Sequence, residues 1–286
     1  MRTILHISDV HFGPPHRPRV SDGVVDLAGE RRPDLVVVSG DLTQRAKPEQ
    51  FAAARRFVDR IPVPTIVVPG NHDVPMYRFW ERIFSPFGAY RRHFADELEP
   101  VYRDDGLLVV GINTAYNWTI KEGRITLARL RQVAAQLAAT PESVFKVVVA
   151  HHHLIPPPNF GTQAVLANAW EAMDVFSLAG VDLILSGHLH QSYIGNSEEF
   201  YPQGRPPVVV VHSGTTTSSR GRAFERERNT CNWIRFDDHS VVVSRLMWHD
   251  DAGRFAEHSR HWYPRQERTP YSLDGLDPSV VADPPI

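Results

Sequence analysis

Short runs of β-branched and aliphatic residues recur along the chain, each stopped by a glycine, proline or polar residue: Thr3 to Ser8, Leu35 to Ser39, Thr65 to Val68, Leu107 to Asn113, Phe145 to Ala150, Asp182 to Ser186 and Val208 to His212. Runs this short and this apolar predict strands buried on both faces, because a half-exposed strand would alternate. Between most of them, apolar residues fall three or four apart over Pro48 to Arg60, Arg78 to Leu98, Thr126 to Ala139 and Ala164 to Ala179, the spacing of amphipathic helices. Strand and helix therefore alternate, which predicts an α/β layered fold. No linker interrupts the alternation, so residues 1–263 read as a single domain. Past Asn229 two strands lie close together, Cys231 to Phe236 and Val241 to Trp248, and Asp237-Asp238-His239 would join them as a hairpin closing a sheet edge. In residues 264–286 proline, aspartate and serine replace the periodicity, which predicts a surface-packed or disordered tail.

Composition changes this picture little. A chain of 286 residues with 42% hydrophobic content can bury a substantial core. Its 31 basic and 33 acidic residues leave a net charge of -2, so no global field favours a long nucleic acid or an anionic membrane. The lone Cys231 cannot form an intrachain disulfide or a thiolate zinc site, which points to a reducing cytoplasm. Asp9 interrupts any signal-peptide core, and no run approaches the roughly 18 apolar residues of a membrane span. Only the 15 histidines are unusual.

In α/β sheets, ligands bind beyond the carboxyl ends of the strands. Here the first run delivers Asp9-Val10-His11, the second Gly40-Asp41, the third Gly70-Asn71-His72-Asp73, the fifth His151-His152-His153 and the sixth Gly187-His188-Leu189-His190. Solvated residues have no reason to track strand ends in this way. On an extended backbone, residues i and i+2 point to one side, so Asp9 and His11, or His188 and His190, would face a common centre. The glycines at 40, 70 and 187 would let the backbone turn sharply and approach a ligand. Converging nitrogen and oxygen groups of this kind make a metal site. Asp9, His11, Asp41, Asn71, His151, His188 and His190 are too many for one ion and suit two, with Asp41 as the bridging carboxylate. Two ions about 3.5 to 4 Å apart polarise phosphoryl oxygens and acidify a bound water. Two divalent ions outweigh the charges of Asp9 and Asp41, so the field favours a small anionic phosphoester.

This ordered set, from Asp9-x-His11 to Gly187-His188-x-His190, resembles the calcineurin-like metallophosphoesterases. The resemblance implies a four-layer α-β-β-α sandwich of two mixed sheets flanked by helices. It places Asp9, His11, Asp41 and His190 on one ion and Asp41, Asn71, His151 and His188 on the other. It implies that His72 hydrogen-bonds the substrate and protonates or stabilises the leaving oxygen, with Asp73 orienting it. Imidazole and carboxylate ligands suit manganese, iron, cobalt, nickel or zinc; the resemblance favours manganese, or iron with manganese, as a divalent or mixed-valence pair.

Departures from the pattern narrow the group. Protein serine/threonine phosphatases carry glutamate where this chain has Asp73. Purple acid phosphatases need a tyrosine shortly after the second aspartate, where Leu42-Thr43-Gln44-Arg45 has none. Sugar-nucleotide pyrophosphatases of the lipid A pathway place arginine where this chain has Val74, and the double-strand-break nucleases add a capping domain and a basic groove. What remains resembles bacterial class III cyclic nucleotide phosphodiesterases and their broad-specificity relatives, as do Ser213-Gly214-Thr215 and the arginine-rich stretch from Arg220 to Arg228. The expected activity is hydrolysis of cyclic nucleotides or similar small phosphodiesters by a metal-activated hydroxide. Sugar-nucleotide pyrophosphatase, glycerophosphodiesterase and general phosphomonoesterase are the alternatives. A non-catalytic metal-bound scaffold is disfavoured because every expected ligand is present, and a homodimer is compatible with the resemblance alone.

Other residues carry weaker signals. His152 and His153 diverge from His151 along a strand and stand between pocket and structural roles; His6 alternates into the first strand as a core residue, and His16 lies in a proline-bounded loop. Arg220, Arg222, Arg226 and Arg228 are offset by Glu225 and Glu227, the pattern of a solvated loop, with a phosphate contact as the alternative. Leu154 to Asn168, with three consecutive prolines, would overhang the metals as a lid or specificity wall. Trp170, Trp118 and Tyr116 are core aromatics or stacking platforms for a nucleobase.

Overall fold

The structure, a computed structural model, describes residues 1–156, 166–201 and 205–265. In one sheet β1 (Arg2–Ile7), β2 (Leu35–Val38) and β3 (Thr65–Val67) run parallel. In the other, β4 (Val101–Arg103) lies antiparallel to β5 (Leu107–Ile112), which is followed in parallel by β6 (Phe145–Ala150), β7 (Leu183–Ser186) and β9 (Val209–His212), while β8 (Tyr193–Asn196) runs antiparallel to β9. The first sheet is extended antiparallel by β10 (Thr230–Phe236), β11 (Ser240–His249) and β12 (Arg254–Pro264). The strand orders are β12-β11-β10-β1-β2-β3 and β4-β5-β6-β7-β9-β8, so both sheets are mixed.

The apolar strand runs are explained by what covers them. Within β1 the side chain of Ile4 enters a core shared by the two sheets, whereas Leu5 enters a second core beneath α1 (Pro18–Arg31) and α2 (Pro48–Asp59). The shared core joins Leu35, Val37 and Ile234 of the first sheet to Val109, Val147, Leu185 and Val211 of the second. A third core packs the outer face of the second sheet against α5 (Leu127–Ala138) and α6 (Ala169–Leu178). Both faces of the central strands of each sheet are thus dry, which gives the four-layer α-β-β-α sandwich that the resemblance implied. Within the shared core the rings of Phe145 and Phe236 stack with centroids 3.9 Å apart. At its rim Arg265, just past β12, pairs at 3.0 Å with buried Asp182 before β7, and Asp182 also accepts the Lys146 backbone N–H at 2.7 Å.

Several elements depart from expectation. The run Arg78 to Leu98 is two short helices, α3 (Phe79–Phe84) and α4 (Gly88–His93), because Pro86 cannot continue the first. Helix α1 was not foreseen: Arg19, Asp22, Asp26, Glu30 and Arg31 dilute its stripe of Val20, Val24, Leu27 and Ala28, although Pro18 at its first turn is a start signal. The hairpin of β10 and β11 does not close its sheet. Strand β12 lies beyond β11, a ladder with one register shift between Arg245 and Leu246. Its mostly exposed polar and charged residues protect an edge from further pairing and leave no apolar run to read. Pro264 ends β12; of the expected tail, residues 266–286 lie outside the described residues, as do 157–165 of the expected overhang.

Because Phe145 fills the space between the sheets at the opposite end of β6 from His151, Phe145→Ala should lower the free energy of unfolding by about 3–5 kcal/mol. Urea denaturation measures this, and metal content should stay unchanged.

Candidate metal centre

The parallel strands of both sheets end at one rim, and the loops leaving β1, β2, β3, β6 and β7 carry Asp9, His11, Asp41, Asn71, His151, His188 and His190. Their convergence does not come from an extended backbone. Asp9, His11, Asp41, His188 and His190 have φ of 51°, 46°, 53°, 75° and 56°, in the left-handed region where non-glycine residues are uncommon. Each such turn costs about 1–3 kcal/mol and persists only where the surroundings enforce it. Here they do. Asp9 N–H donates to Gly40 O at 3.1 Å and His11 N–H to Asp41 O at 3.0 Å, locking the first loop to the second. From the other side Thr215 Oγ1 donates to Asp9 O at 2.7 Å, Thr216 N–H to Ser8 O at 3.0 Å and Thr217 Oγ1 to Val10 O at 2.9 Å. Sequence reasoning missed this threonine strap. The signal was present as an unbroken run of hydroxyl residues, Thr215 to Ser219, after the end of β9.

The glycines also act differently from expectation. Gly40 does turn through a left-handed conformation, with φ of 96°, and a Cβ there would stand 2.6 Å from His151 Nδ1. A Cβ at Gly187 would fall on Ser8 Oγ and the Asp9 carboxylate, so its missing side chain makes room for protein groups rather than for a ligand.

Hydrogen bonds at the back of each ligand candidate fix which atom faces inward. His190 Nδ1 donates to Arg220 O at 3.1 Å and His11 Nδ1 to Thr43 O at 3.3 Å, so the two Nε2 lone pairs face each other at 3.0 Å. Asp9 Oδ1 lies 3.1 Å from His190 Nε2 and 3.6 Å from His11 Nε2, and Asp41 Oδ2 lies 3.6 Å from His11 Nε2. Ligand atoms of Asp9, His11, Asp41 and His190 all fall within 4.8 Å of one another, and all four residues are buried. Beside this cage, His151 Nδ1 donates to Ser39 O at 2.8 Å, and Asn71 Nδ2 donates to Ile120 O at 3.1 Å, turning the Asn71 oxygen inward. That oxygen is 3.1 Å from His151 Nε2 and 2.9 Å from His188 Nδ1, while Asp41 Oδ1 is 3.3 Å from His151 Nε2. Asp41 thus presents one oxygen to each group.

Asp9 Oδ1 and Asp41 Oδ2 are buried without a hydrogen-bond partner. Oxygen anions and nitrogen lone pairs crowded together with so few protons are what a cation neutralises, so these residues fit bound metal. Burial pushes both carboxyls up, but the imidazoles around them, His190 and His11 for Asp9 and His151 and His72 for Asp41, hold them well below the usual carboxylate range. Burial carries His11 down to about 4 and, with His151 nearby, lowers His188. For His151 burial acts in the same direction, yet Asp41 overrides it and raises the imidazole to about 9.

His72 and Asp73 are held apart. The imidazole of His72 donates Nδ1–H to Gln44 O at 2.9 Å, and its Nε2 lies 3.2 Å from Arg220 Nη1. The Asp73 carboxylate accepts from the backbone N–H of Leu42 (3.1 Å), Thr43 (2.9 Å) and Gly70 (2.9 Å) and from Thr43 Oγ1 (3.0 Å). It therefore ties the second loop to the third, and the orienting contact expected from it is made by Gln44. His152 is buried with Nδ1 2.7 Å from Thr114 Oγ1, His153 is buried between the rings of His188 and His212, and His6 bonds Ser39 Oγ at 2.9 Å. His16 stacks on Phe12. Trp118 is 76% exposed and Trp170 packs on Tyr201, so neither is a core residue.

Residues 2–192 match the calcineurin-like phosphoesterase family. Among curated proteins, a probable cyclic nucleotide phosphodiesterase of Synechococcus sp. is 30% identical over 218 residues, covering 73% of this chain and 80% of that one. A glycerophosphodiester phosphodiesterase of Enterobacter lignolyticus is 38% identical over 80 residues, 24% of this chain and 29% of that one. Among solved structures, a dimetal phosphatase from Danio rerio superposes with a TM-score of 0.63 at 11% identity, over 93% of this chain and 99% of that one, a likeness of fold. Among the described residues no helix is long and apolar enough to cross a membrane.

The Asp41 carboxylate raises His151 to about 9, so a cation binding beside Asp41 competes with the proton on that imidazole. Uptake of Mn2+ by EDTA-treated protein should therefore tighten as pH rises through neutrality, with release of protons. Calorimetry in buffers of different ionisation enthalpy measures both effects, and an affinity independent of pH would contradict the assignment.

Proposed function

Because the chain belongs to the calcineurin-like phosphoesterase family and is a metal-dependent phosphohydrolase, we propose that it hydrolyses cyclic nucleotides or similar small phosphodiesters at a pair of transition-metal ions. One observation carries this reading: Asp9, His11, Asp41 and His190 converge in a buried cage whose carboxylate oxygens lack protons to bond. In the proposed assignment Asp9, His11, Asp41 and His190 would hold one ion and Asp41, Asn71, His151 and His188 the other, with Asp41 shared between them. Manganese, or iron with manganese, is the proposed pair. When bound, such a pair supplies an activated water and polarises the phosphoryl oxygens.

The protein's own groups do the rest. Carbonyls of Thr43, Ser39 and Arg220 hold His11, His151 and His190 in the tautomer that turns Nε2 inward. Ile120 O keeps the Asn71 oxygen toward the cage. Gln44 O aims His72 Nε2 at the mouth, where a protonated imidazole donates to the leaving oxygen. Asp73 preserves the spacing between the loops that carry Asp41 and Asn71. The substrate class is supported by the name of the Synechococcus relative; the local similarity to a glycerophosphodiester phosphodiesterase supports that diester class as the second reading. We further propose one catalytic domain over residues 1–263, a cytoplasmic location in keeping with the lone buried thiol of Cys231, and a homodimer.

Elemental analysis of the purified protein, joined to rates on cyclic AMP, glycerophosphodiesters, aryl diesters, aryl monoesters and nucleotide sugars, tests the reading. Two metals per chain and preference for cyclic diesters are expected; a preparation that binds metal yet prefers monoesters would reject the diesterase assignment. His72→Ala should lower kcat by about 10²–10⁴-fold with metal content retained. Asp41→Asn should lose both ions and the thermal stabilisation that added Mn2+ gives the wild type.

A further inference from the structure

Arg220 stands at the mouth of the cage without a direct ion pair among the described residues. Its Nη1 contacts two neutral acceptors, Gln44 Oε1 at 3.0 Å and His72 Nε2 at 3.2 Å, and its side chain is half-buried. Among the described residues no carboxylate lies within ion-pairing distance of it. The charge offset expected along this loop is not made. Glu225 is buried away from the mouth, where it accepts from Ser192 N–H at 3.0 Å and pairs with Arg245 at 3.4 Å. The cage carboxylates Asp41 and Asp9 attract the guanidinium from beyond contact distance, charges that bound metal would offset, while Arg222 and Arg45 repel it.

A guanidinium offers five N–H donors in a planar fork. A half-buried one satisfied only by an amide oxygen and an imidazole lone pair keeps donors and charge for a further partner, and its geometry suits a phosphoryl group better than an ammonium does. Its anchoring is firm, because the carbonyl of the same residue accepts from His190 Nδ1 and Arg222 N–H donates to His190 O at 3.0 Å. The guanidinium therefore stands at a set distance from the cage wall.

Resting on the phosphohydrolase reading above, we propose that Arg220 is an anion-binding residue of this site, whose guanidinium takes a non-bridging oxygen of the phosphoester. In the free enzyme the same N–H group is held by His72 and Gln44. An arriving phosphoryl oxygen takes up the guanidinium and frees the His72 Nε2 lone pair, which can then take a proton from solvent and pass it to the leaving oxygen. Arg220 is thus the link between binding the anion and releasing the imidazole.

The test uses full-length, metal-loaded wild type, Arg220→Gln and Arg220→Lys, with inorganic phosphate as the calorimetric probe and an aryl phosphodiester for steady-state kinetics. Since the side chain and not the Arg220 carbonyl is altered, both variants should keep their metals by elemental analysis. The glutamine variant should bind phosphate on the order of 10- to 100-fold more weakly and raise KM in step, and the lysine variant should fall between. A glutamine variant that keeps its metals and binds phosphate as tightly as wild type overturns the proposal. Wild type that holds metals but binds no phosphate overturns the proposal alone, whereas wild type that holds metals but hydrolyses no aryl phosphodiester overturns the diesterase reading as well, so the two failures are distinct.

Discussion

Two carboxylates sealed at the ends of neighbouring parallel strands govern this molecule. Asp9 and Asp41 are no more than 1% exposed, and each keeps an oxygen without a donor. Removing an ionised carboxylate from water costs several kcal/mol unless other groups compensate. The backbone compensates in part, through His188 N–H on Asp9 and His72 N–H on Asp41, but the imidazoles that could finish the task are turned the wrong way. Carbonyls hold the protons of His11 and His190 at the back of the rings, so lone pairs meet anions at the front. This arrangement leaves lone pairs facing anions at the front of the cage, which a cation in the gap would satisfy. It is why the same residues describe both a structural difficulty and a metal site.

The difficulty is borne by the layers beneath. Five residues of the cage occupy left-handed backbone conformations, yet the strands that lead into them are buried on both faces and stack through Phe145 and Phe236 between the sheets. Strain concentrates in loops that rigid sheets hold in register. The threonine strap after β9 is the clearest instance, since hydroxyl groups from one sheet clamp the carbonyls of Asp9 and Val10 at the end of the other. Relative movement of the sheets would therefore disturb the cage directly, which ties the integrity of the inter-sheet core to the geometry of the site.

Much of this was legible in the sequence because burial on both faces leaves an unbroken apolar run that ends where polar residues begin. Phe145 to Ala150 followed by His151 is read correctly from pattern alone. Helix α1 and strand β12 were not legible, since each buries little: charged residues break the stripe of one, and exposed polar residues dominate the other. At the site, the types of residue indicated the chemistry while the reason given for their convergence was wrong. An i, i+2 spacing brings Asp9 and His11 together through two left-handed turns, a conformation that Asp and His adopt more readily than most residues but that an apolar strand run does not announce. Likewise Glu225 counts against the arginines in a sum of charges along the chain, but hydrogen bonds to Ser192 and pairing with Arg245 remove it from them in space.

That last difference bears on how an almost neutral chain attracts an anion. A net charge of -2 gives no steering at a distance. Local placement gives it at short range: Glu225 is withdrawn beneath the loop, while Arg220 stays at the mouth with only neutral acceptors. A carboxylate beside Arg220 would have stabilised the loop in the free protein and competed with every phosphoester that arrived. Its absence leaves a half-buried cation whose electrostatic demand is met most fully when substrate is present, which is the condition for spending interaction energy on binding rather than on the empty enzyme. The cage and the arginine follow one rule. Each holds charge that the protein leaves unsatisfied, the first negative and suited to a metal, the second positive and suited to a phosphate.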